Sequence, residues 1–198
     1  MTYFVAFEGI DRSGKTTQIN RLYNHLKSTT ELKILTTREP WSQDARDKLK
    51  TLELDREDQL DLVLQDRANH CDWLQEQMGE YDLIFCDRFT LSTLAYQGYG
   101  MGINLYKIRI ANEIVTQGLK PNLNLIIDCP ISAALRRDFS RPLDKIERNV
   151  PFLEQVRLGY LSLAKNHVLI NGNQPEDVVF NEVLNKVNLL LSSELVVQ

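Results

Sequence analysis

The sequence predicts an α/β fold of three layers, α/β/α, with helices on both faces of a five-stranded parallel sheet. Three observations point there. Strand-like and helix-like segments alternate along all 198 residues. Several strand-like segments are continuous apolar runs, as expected for parallel strands covered on both faces. Residues 9–16 form a phosphate-binding loop pattern, two glycines with four residues between them followed by Lys15 and Thr16, between the first strand and the first helix.

The first apolar run is Tyr3–Phe7, and helical spacing follows over Lys15–Lys27. Lys33–Thr37 is the second strand. Arg56–Met78 is a long helical stretch whose acidic start, Asp55 to Asp58, suits a first turn. Asp82–Cys86 is the third strand, with helical patterns at Leu91–Tyr96 and Leu105–Gln117. Leu123–Asp128 is the fourth, with helical patterns at Ile131–Arg137 and Phe152–Lys165. Val168–Ile170 is the fifth, and the helix Pro175–Leu191 opens on proline and acids. No repeat or linker interrupts the series, so 1–198 reads as a single domain. Its ligands are expected beyond the carboxyl ends of the strands, joined by right-handed crossovers.

Composition narrows the function classes. Hydrophobic residues make up 43% and charged residues 25%, ordinary for a globular domain, and the net charge of −4 argues against a general nucleic-acid binder. Three cysteines at unrelated spacings do not make a disulfide framework, and Cys86 and Cys129, within apolar runs, read as small buried hydrophobes. The chain enters its first strand with no leader-like segment, and no apolar run reaches membrane-spanning length. The expectation is a cytoplasmic protein with no membrane and no nucleic acid partner.

The loop implies nucleoside triphosphate binding. Gly9, Ile10, Asp11, Arg12, Ser13, Gly14, Lys15, Thr16 and Thr17 are its candidate residues. Their backbone N–H groups converge on phosphate oxygens, Lys15 supplies a cation for the β- and γ-phosphates, and the Thr16 hydroxyl is placed for Mg²⁺. After the second strand comes Arg38-Glu39-Pro40, and after the third comes Asp87-Arg88-Phe89 with Ser92 to Gly98. An acid at a strand's carboxyl end is where such proteins hold Mg²⁺, usually through water, so Asp87 and Glu39 join Thr16 as metal candidates. Arg88 can clamp a second phosphate group. The plain alternative is that Asp87 and Arg88 cap the next helix. A GTPase switch would need an N-K-x-D tetrapeptide, which does not occur, and intact Lys15, Thr16, Asp87 and Arg12 argue against a non-catalytic module.

Five collinear stretches resemble the thymidylate kinase family: Phe7 to Gln18, Thr37 to Pro40, Asp66-Arg67-Ala68, and Asp87-Arg88 with Ala95 to Gly98; then Leu143 to Glu147 with Phe152 and Val156 to Tyr160, which resemble the lid and the following helix. Asn171 to Val178 resembles the adenine-side loop. The resemblance implies transfer of the γ-phosphoryl of ATP to dTMP with Mg²⁺, a lid at about 136–149, and a homodimer paired through long helices. It implies that Asp11 meets the 3′-hydroxyl of the acceptor sugar, that Arg88 grips the acceptor phosphate, and that Arg67, Thr93 and Gln97 face the base, with Arg67 donating to a carbonyl oxygen. Arg12 resembles a catalytic arginine of the loop, while Arg136, Arg137 and Arg141 lie in or beside the lid; Arg12 is expected to act on the transferred phosphoryl and Arg141 to assist closure. Lys15, Arg12, Arg88 and Arg141 are thus the catalytic candidates.

Three positions depart from the family pattern. Trp41 stands where glycine is usual, Val63 where a phenylalanine stacks on the base, and Lys50 about where a phosphate-binding arginine stands. Trp41 is expected to line the acceptor cavity and restore a flat surface, the alternative being that it packs under a loop. These changes leave open a related deoxynucleotide or deoxynucleoside kinase with another pyrimidine acceptor. His25, His70 and His167 lack metal-ligand spacing, and His70 is not expected to belong to the site.

Overall fold

The structure, a computed structural model, describes residues 2–137 and 142–192. Among them, five parallel strands form one sheet in the order β2-β3-β1-β4-β5: β1 (Tyr3–Glu8), β2 (Ile34–Arg38), β3 (Leu83–Asp87), β4 (Leu123–Asp128) and β5 (Val168–Asn171). The helices are α1 (Lys15–Thr29), α2 (Gln43–Thr51), α3 (Arg56–Gln77), α4 (Thr90–Thr93), α5 (Leu105–Val115), α6 (Ile131–Ala134), α7 (Lys145–Arg148), α8 (Val150–Leu163) and α9 (Glu176–Ser192).

The apolar runs are double-sided. Val5 and Phe7 of β1, with Leu83 and Phe85 of β3, pack with Ile19, Leu22 and Leu26 of α1 and Val183 of α9. The intervening Phe4, Ala6, Ile84 and Cys86 pack on the other face with Cys71 and Leu74 of α3. Alternate residues thus serve opposite layers, which is why these strands contain no polar alternation. All three cysteines are buried thiols, and burial pushes Cys71 up to about 12, so none has the thiolate character of a reactive cysteine.

Three elements differ from expectation, one of them α7, which no helical pattern foretold. The predicted helix Leu91–Tyr96 divides into α4 and a π-helical segment, Leu94–Gly100. A Cβ on Gly98 would lie 2.4 Å from Leu105, so glycine lets this widened coil approach α5; such segments often sit at functional sites. The third difference is α2, unpredicted, which buries only Ala45 and so has almost no apolar stripe.

β1 is the switch point of the sheet, with β3 on one side and β4 on the other. Its turn into α1 depends on Gly9, whose φ is 139° and where a Cβ would stand 2.4 Å from the Ile127 carbonyl oxygen. Gly9→Ala should therefore cost about 1–3 kcal/mol from backbone strain alone, visible as a thermal unfolding midpoint several degrees below the parent protein. An unchanged midpoint would contradict the close approach described here.

Candidate active site

Parallel register brings the strand ends level. Phe7 of β1 and Arg38 of β2 both pair with Asp87 of β3. The loop after β1, the Arg38-Glu39-Pro40 turn and Asp87-Arg88 consequently open on one cavity of about 650 Å³. Asp11, Arg12, Gly14, Lys15, Thr16 and Thr17 line it from the loop; Arg38, Glu39, Arg46, Lys50, Asp87, Arg88, Arg137 and Asp144 complete the wall. Seven of these side chains are basic and four acidic. An acidic chain has therefore concentrated positive charge in its cleft, as an anionic polyphosphate requires.

Within the loop, Lys15 donates to the carbonyls of Gly9 (3.1 Å) and Ile10 (2.9 Å). Burial and the neighbouring Arg88 lower its ammonium from the ordinary range, and a bound polyphosphate would supply the missing countercharge. Thr16 donates its hydroxyl to Asp87 Oδ2 at 2.5 Å. Asp87 Oδ1 is buried and accepts no hydrogen bond among the described residues. This oxygen, 4.0 Å from Lys15 Nζ but without a hydrogen bond, stands beside a hydroxyl and fits a hydrated Mg²⁺, and no cluster of three or more His, Cys, Asp or Glu with metal-binding geometry occurs among the described residues. The Ile10 side chain points into the core and Ser13 is buried beneath the loop, so both serve through the backbone.

Arg12 and Arg88 have φ values of 61° and 76°, in the left-handed region that branched or bulky residues seldom occupy. Arg88 donates to the Gly9 carbonyl (2.8 Å), Asp11 Oδ1 (2.7 Å), the Tyr96 hydroxyl (3.2 Å), the Tyr160 hydroxyl (3.3 Å) and Ser92 Oγ (3.4 Å). Burial alone would raise the Asp11 carboxyl; Arg88, Lys15 and the Tyr96 hydroxyl outweigh it and hold it well below the usual range. Arg12, on the wall of the same cavity, pairs with Glu147 through hydrogen bonds of 2.8 and 3.2 Å. Glu147 completes a capping box with Asp144 at the start of α7.

A second cavity of about 140 Å³ adjoins the first, with Asp11, Glu39, Arg67 and Arg88 on its wall beside Val63, Thr93, Tyr96 and Gln97. It is predominantly apolar, the right character for a base. Arg67 lies beneath it, 1% exposed. Its five N–H groups reach Glu39 Oε2 twice, Thr93 Oγ1, Asn112 Oδ1 and the Phe89 carbonyl. A third cavity of about 280 Å³ lies between α1 and the loop after β5, lined by Gly14, Thr17, Gln18, Gly172 and Gln174. Arg137 binds it to the phosphate loop, donating to the carbonyls of Ser13 (2.5 Å), Arg12 (3.4 Å) and Gly172.

Comparison with known proteins agrees with this layout. A family model described as thymidylate kinase matches residues 7–183. The chain belongs to the thymidylate kinase family. A thymidylate kinase of Geotalea daltonii is 37% identical, covering 84% of this chain and 85% of that one. One from Prochlorococcus marinus strain NATL1A is 33% identical over 96% of this chain and 98% of its own. The crystal structure of thymidylate kinase from Ehrlichia chaffeensis superposes with a TM-score of 0.75 at 29% identity, covering 94% of this chain and 98% of that one.

Within that family frame, several residue-level expectations change. Trp41 lines none of these cavities. Its indole stacks on His70 and Trp73, and its backbone N–H is held by Asp66, so it packs beneath the turn and offers no face to the base. Glu39 is no metal ligand here: Oε2 is held by Arg67 and Oε1 by His70. Arg67 has every N–H engaged by protein acceptors, whereas no described residue bonds to the Gln97 side-chain amide, which lines the cavity. Arg141 and part of the expected lid lie outside the described residues. Sequence reasoning missed Arg46 and Asn112, set His70 aside, and named Arg137 with the lid, not as a donor to the phosphate-loop carbonyls. For His70 a signal existed, its spacing of three residues from Arg67 on one helix.

Burial would raise the Glu39 carboxyl, but Arg67 and His70 outweigh it and lower it. A carboxyl depressed in the folded state contributes stability above its unfolded value, about 4.3, and loses that contribution as pH falls through the folded value. Glu39→Gln should cost roughly 1–3 kcal/mol at neutral pH. The gap in unfolding midpoint between parent and variant should narrow below about pH 4. A gap that widens on acidification would contradict the assignment.

Proposed function

We infer that this chain transfers the γ-phosphoryl group of ATP to dTMP, giving ADP and dTDP on the route to dTTP. The observation that carries the reading is the junction at Arg88, where a strongly basic cavity behind a phosphate-binding loop meets an apolar, base-sized cavity. The acceptor is itself a phosphate oxyanion, so no strong general base is needed. Catalysis rests on alignment and on stabilising spread-out negative charge.

The triphosphate lies along the loop, its base toward the cavity beside Gln174 and its γ-phosphate toward Lys15. The acceptor phosphate lies between Arg88 and the Arg38–Lys50 wall, with its sugar toward Asp11 and Tyr96 and its base among Val63, Thr93 and Gln97. One oxygen of the acceptor bonds to the γ-phosphorus as the bond to the β-bridging oxygen breaks. Thr16 and Asp87 would hold a Mg²⁺, which when bound would neutralise phosphate charge. Arg12 stands at the loop's crest, where turning from Glu147 toward the cavity would bring its charge to the transferring group. Arg12→Ala should lower kcat more than Arg141→Ala in single-turnover measurements, with the dTMP KM little changed. A larger loss for Arg141→Ala would move the catalytic arginine into the lid.

The protein acts as a homodimer. α5 exposes Tyr106, Ile110 and Ile114 at spacings of four, an apolar stripe without cover in the single chain. Ile114→Glu should shift the sedimentation coefficient of a dimer to that of a monomer. No helix among the described residues is long and apolar enough to cross a membrane, and the buried thiols suit a reducing cytoplasm. A coupled assay over nucleoside monophosphates tests the activity: dTMP should give the highest kcat/KM, and preference for another base would overturn the acceptor assignment.

A further inference from the structure

We propose that His70 is a positioning residue for the acceptor cavity, its Nδ1–H fixing the Glu39 carboxylate that in turn holds the Arg67 guanidinium. This rests on reading that cavity as the acceptor's.

His70 is 0% exposed and lies three residues beyond Arg67 on α3. The spacing places both side chains on one helix face. Its Nδ1 is 3.0 Å from Glu39 Oε1, and its Nε2 is 2.9 Å from Thr37 Oγ1. An ionised carboxylate only accepts, so Nδ1 carries a proton and donates it to Glu39, while Nε2 shares a second hydrogen bond with the Thr37 hydroxyl. Trp41 and Trp73 complete a cluster of three near-parallel rings, with centroids 5.7 Å from Trp41 to each of the other two and 6.0 Å from His70 to Trp73. The ring is held sideways by packing and in its plane by hydrogen bonds.

The consequence lies one residue further in. Glu39 Oε2 receives Arg67 through both Nε and Nη2, leaving Oε1 to His70. Remove that donor, and a buried carboxylate oxygen is left without its bond. The group then gains by rotating, which breaks the paired contact with Arg67. Arg67 orients Thr93 and the carbonyl of Phe89, next to Arg88. His70 therefore touches no substrate, yet it sets the shape of the wall against which the acceptor binds.

The test compares His70→Phe, which keeps a ring in the cluster but no nitrogen, with His70→Asn, whose amide N–H returns near Nδ1. Wild-type turnover of dTMP is measured first, so a failed acceptor reading shows as absent dTMP turnover before any variant is considered. His70→Phe should raise the dTMP KM about tenfold or more, the scale of one hydrogen bond to a charged group, with the ATP KM nearly unchanged. His70→Asn should recover most of that loss. An unchanged dTMP KM in folded His70→Phe overturns the proposal. So does an equal rise in both KM values, which marks general loosening, or an Asn variant as impaired as Phe. Should His70→Phe not fold, His70→Gln takes its place, since its amide nitrogen overlies Nε2 instead of Nδ1, and the same comparison decides.

Discussion

A guanidinium largely withdrawn from water must be surrounded by acceptors or it destabilises the fold, and Arg88, its side chain 14% exposed, answers that requirement with groups from four segments. Its partners are Gly9 and Asp11 of the phosphate loop, Ser92 of α4, Tyr96 of the π-helical segment and Tyr160 of α8. One side chain therefore holds the donor's loop, the end of β3 and the acceptor's wall in a fixed relation. The left-handed backbone at Arg88 is the strain that accompanies this placement.

A layer of buried polar groups supports that hub. Glu8, at the end of β1, accepts from the Phe89 N–H (2.9 Å) and the Ser92 hydroxyl (2.6 Å). It thereby pins the residue that follows Arg88. Burial raises the Glu8 carboxyl, with Ser92, Arg88, the Phe89 N–H and Arg67 opposing the rise. Beside it, Arg67 gathers Glu39, Thr93, Asn112 and Phe89. A fully satisfied network of this kind specifies one arrangement and keeps the cavity preformed.

The strands were legible because parallel strands buried on both faces must be apolar throughout, and all five appeared within a residue or two of their observed ends. The phosphate loop was legible because its chemistry admits few residue types. By contrast, α2 could not be read, since it lies on the surface with Ala45 as its one buried residue. For Arg67 the cavity it lines was legible and its hydrogen-bond partners were not. Its partners Glu39, Thr93 and Asn112 are 28, 26 and 45 residues away in the chain. Saturation of its five donors is a tertiary fact that no local pattern contains. Trp41 shows the same limit: its place after Pro40 suggests the cavity, but the Asp66 carboxylate grips its backbone and the indole falls on His70.

Arg88 marks the meeting point of donor and acceptor. Crystals of the protein with dTMP and a non-hydrolysable ATP analogue would measure it directly. The acceptor phosphate should lie within hydrogen-bonding distance of the Arg88 guanidinium, with the thymine in the cavity bounded by Val63, Thr93 and Gln97. An acceptor phosphate out of reach of Arg88, or a thymine outside that cavity, would contradict the account.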